Sequence, residues 1–137
     1  MHVSTKIWTL YNKLLSIAID EFSNIVESGE ILSSPVSGEP LKLRIYLNDE
    51  SFIDIYLSIK GKYSFHWNRL LIHNKIYRHD NAPHIRWKAI STFPKHFHNG
   101  SENNVVVSHI SGSQEIAINE FLNFVTEKFK QGKRDAK

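Results

Sequence analysis

The chain contains no cysteine, so disulfides and thiolate metal sites are excluded, as in proteins of reducing compartments. It has no uncharged apolar run of about 18 residues, so no membrane-spanning helix is expected. The apolar residues near the N-terminus are periodic and interrupted by Lys13, Asp20 and Glu21, unlike a signal peptide. G-x-S-x-G, Walker A and H-E-x-x-H motifs are all missing, and no glycosidase-type carboxylate pair is apparent. The last scarcity is local. Between Lys60 and His98 there is a single acid, Asp80, against eight lysines and arginines.

That stretch therefore carries +7, while the rest of the chain carries −4. Six of the eight histidines also lie in it: His66, His73, His79, His84, His96 and His98. Tyr63, Phe65, Trp67, Tyr77, Trp87, Phe93 and Phe97 run between them. Cation, imidazole and ring in alternation make a surface suited to a polyanion, although half-solvated sheet can carry the same composition. At 137 residues, 41% hydrophobic and with a mean hydropathy of −0.33, the chain reads as one soluble domain spanning 1–137. Its core is expected at about 41–131, with an N-terminal helix at about 4–28.

The helix prediction rests on Trp8, Tyr11, Leu15, Ala18, Phe22, Ile25 and Val26, which recur at three-four spacing. Ser4 stands as its cap and Gly29 as its stop, and Ser33 to Pro40 reads as a loop. Leu41–Leu47, Ile53–Ile59 and Tyr63–Trp67 then alternate as strands. Three-residue turns would set Ile45 opposite Ile53, Arg44 opposite Asp54, Leu57 opposite Phe65 and His66 opposite Tyr56. Lys42, Arg44, Tyr46, Phe52, Asp54, Tyr56, Ser64, His66 and Asn68 then share an open face that could stack bases and meet phosphates. Leu70–Ile72 continues or bends the third strand, and Lys75–His79 is a fourth. A short helix opens near Asn81 or Ala82 with Pro83 in its first turn and runs through Ala89, placing His84 at an anion-favouring terminus between Arg78, His79 and Arg86. Ser91–His98 is a loop or edge segment, and Val105–Ile110 is a fifth strand. A final helix follows the Ser111–Gln114 capping box and ends at Gly132. The expected fold is α+β: an antiparallel sheet of about five strands with N- and C-terminal helices packed on one face.

Two chemistries compete for the histidines. His96 and His98 form an H-x-H pair whose rings share one face of a strand, with Asp80 the only carboxylate nearby. The surrounding positive charge opposes a divalent cation, so neither metal nor cofactor is expected. Metal-free RNA cleavage instead needs a base for the 2′-hydroxyl, an acid for the leaving 5′-oxygen, and cations for the developing charge. His79, His84, His96 and His98 supply imidazoles for proton transfer, and Arg78 supplies charge. His66, Tyr56, Arg44, Asn81, Arg86 and Lys95 are the candidate substrate contacts. Spacing alone assigns none of these roles. A non-catalytic nucleic-acid- or protein-binding module and a histidine-ligated metalloenzyme are the rival readings.

Lys62-Tyr-Ser-Phe-His-Trp67, Tyr77-Arg-His-Asp-Asn-Ala-Pro-His84 and Ser91-Thr-Phe-Pro-Lys-His-Phe-His-Asn-Gly100 resemble, in this order, the TumE-like family of prokaryotic toxins. The likeness runs from about Leu41 into the last helix. It implies a cytoplasmic toxin neutralised by a cognate antitoxin protein encoded beside it. Taken with the side-chain chemistry, it makes a metal-independent endoribonuclease acting on RNA the leading expectation, with homo-oligomerisation left open.

Overall fold

The computed structural model describes residues 3–135. Seven strands form one antiparallel sheet in which every strand pairs with its sequence neighbour. They are β1 (Val26–Ser33), β2 (Pro40–Leu47), β3 (Phe52–Leu57), β4 (Tyr63–Arg69), β5 (Lys75–Asp80), β6 (His96–Gly100) and β7 (Val105–Val107). Helix α1 (Val3–Glu21) precedes the sheet, and α3 (Gln114–Asp135) follows it. A single-turn helix α2 (Leu70–His73) joins β4 to β5, and a 3₁₀ turn (Ile85–Trp87) lies in the long β5–β6 connection. No helix among the described residues is long and apolar enough to cross a membrane.

Alternation decides which face is covered. Leu43, Ile45, Leu47, Ile53, Ile55, Leu57, Phe65 and Trp67 point to one side and are fully buried or nearly so. Both long helices pack on that side. From α1, Tyr11 is buried and its hydroxyl accepts a hydrogen bond from the Leu57 amide at 2.9 Å. From α3, Phe121 meets Phe65, and Phe124 stands edge-on to Trp67, Tyr77 and Phe97. Trp67 completes its polar needs by donating from Nε1 to Ser51 Oγ at 2.8 Å. An aromatic layer of this kind buries large area with few rotatable bonds.

The α+β class, the antiparallel sheet and the terminal helices are as the periodicity implies. The strand count is higher. Helix α1 ends at Glu21, about two turns short of the expected end near Ser28, because Phe22, Ile25 and Val26 are buried as the chain turns into β1. Gly29, expected to stop that helix, lies inside β1 beneath Leu15. The segment read as loop or edge before Asn99 contributes the strand β6.

Register is right on one hairpin and wrong on the next. Ile45 faces Ile53 and Arg44 faces Asp54, as expected. Between β3 and β4, however, Leu57 faces Tyr63, Ile55 faces Phe65 and His66 faces Asp54, two residues from the expected pairing. The turn spans Ser58–Lys62, closed by Ser58 and Gly61, instead of three residues. Leu70–Ile72 forms α2 instead of extending a strand. No helix runs from Asn81 to Ala89; only Ile85–Trp87 is helical. Helix α3 continues past Gly132.

Candidate functional site

The uncovered face of the sheet carries a row of polar residues set by register. Glu30, Arg44, Asp54, His66, Arg78 and His98 are successive cross-strand neighbours from β1 to β6. In the adjacent row Ser64, Asp80 and His96 follow one another. Charges of opposite sign facing across strands stabilise such a face. Arg44 donates twice to Asp54, at 2.8 and 2.9 Å, Lys42 adds a bond at 3.0 Å, and the Arg44 guanidinium lies over Phe52. The cations expected to meet substrate on β2 are therefore engaged by the protein itself.

The rows converge where β5 and β6 meet. Asp80, His96 and His98 are only 7%, 1% and 3% exposed. Arg78 donates from Nε to Asp80 at 2.9 Å and from both terminal nitrogens to Glu102 at 2.7 and 2.8 Å. One of those nitrogens also approaches His98 Nε2 at 3.0 Å. The ring orientations follow from their other nitrogens. His96 Nδ1 lies 2.8 Å from the Pro94 carbonyl, and His98 Nδ1 lies 2.9 Å from the Glu102 carbonyl. A carbonyl only accepts, so each Nδ1 carries a hydrogen and each Nε2 faces inward. His96 Nε2 is 3.1 Å from Asp80 Oδ1, yet it has no hydrogen-bond partner among the described residues. In the neutral ring both atoms of that contact offer lone pairs and neither offers a proton.

The β5–β6 connection roofs this cluster. Trp87 lies near both rings, with centroids 6.3 Å from His96 and 6.0 Å from His98. Arg86 stacks on Trp87 at 4.5 Å and has no carboxylate partner among the described residues. Two clefts open beside the roof. One, of about 250 Å³, is lined by Arg78, His84, Arg86, Trp87, His98, Glu102 and Asn103. The other, of about 350 Å³, includes Tyr56, Lys62, Ser64, Asp80, Asn81 and, again, Arg78 and His84. A larger hollow of about 380 Å³ near Arg69 and Phe129 lies among none of these residues.

The residues proposed from sequence separate into groups. Arg78, His96, His98 and, across the pleat, His66 belong to one cluster, and His84 and Arg86 sit at its rim. His66 is held below the ordinary imidazole range by burial and by Arg78, and its Nε2 is buried without a partner among the described residues. Burial and Arg78 likewise lower His98 against the opposing bond to the Glu102 carbonyl. Tyr56 is exposed on the rim of the second cleft. His84 immediately precedes a turn of three residues, too short to offer an anion-binding terminus.

His79 stands apart. It faces the helices, stacks on Phe97 with centroids 4.1 Å apart, and meets Ser108 Oγ at 2.7 Å. Burial first, then Lys95, push its imidazole down to about 4, so it is neutral near pH 7. Lys95 donates to the Ile110 carbonyl. Asn81 accepts from the Tyr63 amide at 3.0 Å and donates to the Gly61 carbonyl at 2.9 Å, tying down the β3–β4 turn. The four histidines thus do not gather over one patch.

Glu102 and Trp87 are not among the site residues read from the sequence, and Asp80 enters there only as the carboxylate nearest the H-x-H pair. Asp80 had a visible signal, being the lone acid of the basic stretch. Glu102 had none, because it lies in a polar turn and reaches Arg78 only through the β6–β7 hairpin.

No curated protein and no solved structure matches the chain. The family model described as Toxin TumE matches residues 15–129, a span that runs from the middle of α1 to Phe129 in α3 and includes every residue of both clefts. The chain belongs to the TumE toxin family.

Proposed function

We propose that this toxin acts in the cytoplasm by cutting RNA, with the scissile phosphate lying across the ridge between the two clefts. The observation that carries the reading is that these clefts share Arg78 and His84. A strand laid over that ridge would place a nucleotide on each side of one phosphate. Arg86, stacked on Trp87 and without a carboxylate partner among the described residues, is positioned for the phosphate oxygens, as guanidinium groups often are at phosphoryl sites. Tyr56 on the rim offers a ring to a neighbouring base. His84 is exposed at the junction, and an imidazole there can take the 2′-hydroxyl proton as that oxygen bonds to phosphorus and the bond to the 5′-oxygen breaks, the departing oxygen taking a proton from solvent to leave a 2′,3′-cyclic phosphate and a 5′-hydroxyl. Arg78 is a positioning group, held by Asp80 and Glu102. A grip on nucleic acid through β2 and β3 is less favoured, because Lys42 and Arg44 are already paired with Asp54. Membership of a toxin family also implies an antitoxin partner.

Purified toxin mixed with a defined RNA tests the proposal, with chelator and with added divalent metal in parallel arms. Cleavage that falls by at least about 100-fold in His84→Ala is expected. RNA left intact in both arms by a preparation that still arrests growth would rule the reading out.

A further inference from the structure

The inward-facing donors of β5 and β6 have the makings of a second, unassigned feature. We propose that Asp80, His96 and His98 bind a divalent first-row transition metal of the imidazole-preferring kind represented by Zn²⁺. One donor atom from each residue lies within 4.8 Å of the others. Metal–ligand bonds of about 2.1 Å on a tetrahedral ion place donors about 3.4 Å apart. His96 Nε2 lies 3.1 Å from Asp80 Oδ1 and His98 Nε2 lies 3.8 Å from Asp80 Oδ2, so each imidazole stands near that spacing from one oxygen of the carboxylate.

The outer contacts are those a metal site needs. Both histidines give their Nδ1 hydrogens to backbone carbonyls, of Pro94 and of Glu102, which fixes Nε2 as the free ligand atom. Asp80 is oriented by the Ala82 amide at 3.0 Å and by Arg78 Nε at 2.9 Å. His96, almost wholly buried, has an Nε2 with no hydrogen-bond partner among the described residues and a carboxylate oxygen in front of it. Leaving such a group unsatisfied is costly, and a cation in the gap satisfies both sides.

The charge objection raised by the sequence is reversed locally. Among the described residues Arg78 is the guanidinium in contact with the cluster, and two carboxylates, Asp80 and Glu102, answer it. For metal to reach His98, the terminal nitrogen of Arg78 must leave Nε2, and its bonds to Glu102 give it partners it can keep. His98 lines one cleft and Asp80 the other, so coordination positions not taken by protein open toward both. These donors point inward whether or not RNA is the substrate.

The test uses the full chain stripped with chelator and titrated calorimetrically with Zn²⁺, with Co²⁺ as a spectroscopic substitute. Wild type is expected to bind one Zn²⁺ per chain and to develop Co²⁺ d–d absorption. Asp80→Asn and His96→Ala should each weaken binding by at least about 100-fold, while His84→Ala, exposed and outside the set, should bind like wild type. Circular dichroism identifies a variant that has not folded, and the wild-type Co²⁺ spectrum decides the matter without any variant. A wild type that takes up neither ion, or folded Asp80→Asn and His96→Ala that bind as well as wild type, would overturn the proposal. Zn²⁺ binding without RNA cleavage would keep this site and remove the substrate; cleavage without Zn²⁺ binding would do the reverse.

Discussion

Replacing Gly29 by alanine tests how α1 is seated on the sheet. A Cβ at Gly29 would fall well inside contact distance of Leu15 Cδ1 and 3.1 Å from the Arg44 carbonyl oxygen. Carbon atoms pack at about 3.5–4.0 Å, so Leu15 must withdraw by on the order of 1 Å. The carbonyl has less freedom, because Glu30 and Arg44 are ladder partners in the β1–β2 pair. Overpacking of this kind costs about 1–3 kcal/mol. Loss of glycine's freedom in the unfolded chain offsets at most about 1 kcal/mol of that. The expected net destabilisation is about 1–2 kcal/mol. With unfolding entropy of about 2.1 cal/mol/K per residue, that lowers Tm by about 3–7 °C in a chain of this length. Thermal and urea melts followed by circular dichroism read the effect. Shortening Leu15 to alanine in the same chain should relieve the clash, so the double variant should be more stable than additivity predicts by at least about 0.5 kcal/mol. A Gly29→Ala protein as stable as wild type, or strict additivity with Leu15→Ala, would show that the helix does not rest on this glycine.

Further outcomes follow from the same coordinates. His79→Leu should still arrest growth while losing about 1–2 kcal/mol of stability in urea melts, because Ser108 is buried and loses its imidazole partner; abolished toxicity in a folded variant would return His79 to the active cluster. Although burial pushes the Asp54 carboxyl up, bonds from Arg44 and Lys42 hold it below the ordinary carboxylate range. Its stabilising contribution is therefore complete above the unfolded value and is lost as pH falls through the lower folded one. The stability gap between wild type and Asp54→Asn should accordingly be widest near neutrality and shrink below about pH 4, whereas a gap constant with pH would contradict the pairing. Asn81→Ala removes both ties to the β3–β4 turn and should cost about 1–2 kcal/mol, seen as faster amide exchange at Gly61–Tyr63; unchanged exchange there would mean the side chain serves something else.

The covered face was legible because apolar alternation reports which side of a strand is buried. It cannot distinguish a pairing from one shifted by two residues, since both bury the same side chains. That is how the β3–β4 register came out two residues away. The polar row holds the missing information: the observed pairing sets His66 between Asp54 and Arg78, whereas the shifted one sets Asp54 opposite Asn68. Strand β1 was hidden because Phe22, Ile25 and Val26 prolong the helical stripe while the chain has already turned, and Val26–Ser33 contains two glutamates and a glycine. Strand β6 was hidden by its composition. In His96-Phe-His-Asn-Gly100 the imidazoles are the buried open-face residues and Phe97 faces the helices, so hydrophobicity alone shows one apolar residue where three are buried. The H-x-H spacing did place both rings together, but Asp80 joins them only through the β5–β6 register.

Strict neighbour-to-neighbour strand order also bears on synthesis. Each new strand finds its partner in the segment that has just left the ribosome, so the sheet can extend in the direction of translation without waiting for distant chain. The imidazole pair enters second to last in that sequence, in β6, and Glu102 later still. A product truncated between Asn81 and Lys95 retains β1–β5 yet lacks both rings, which leaves prematurely terminated toxin without two of the three proposed metal ligands.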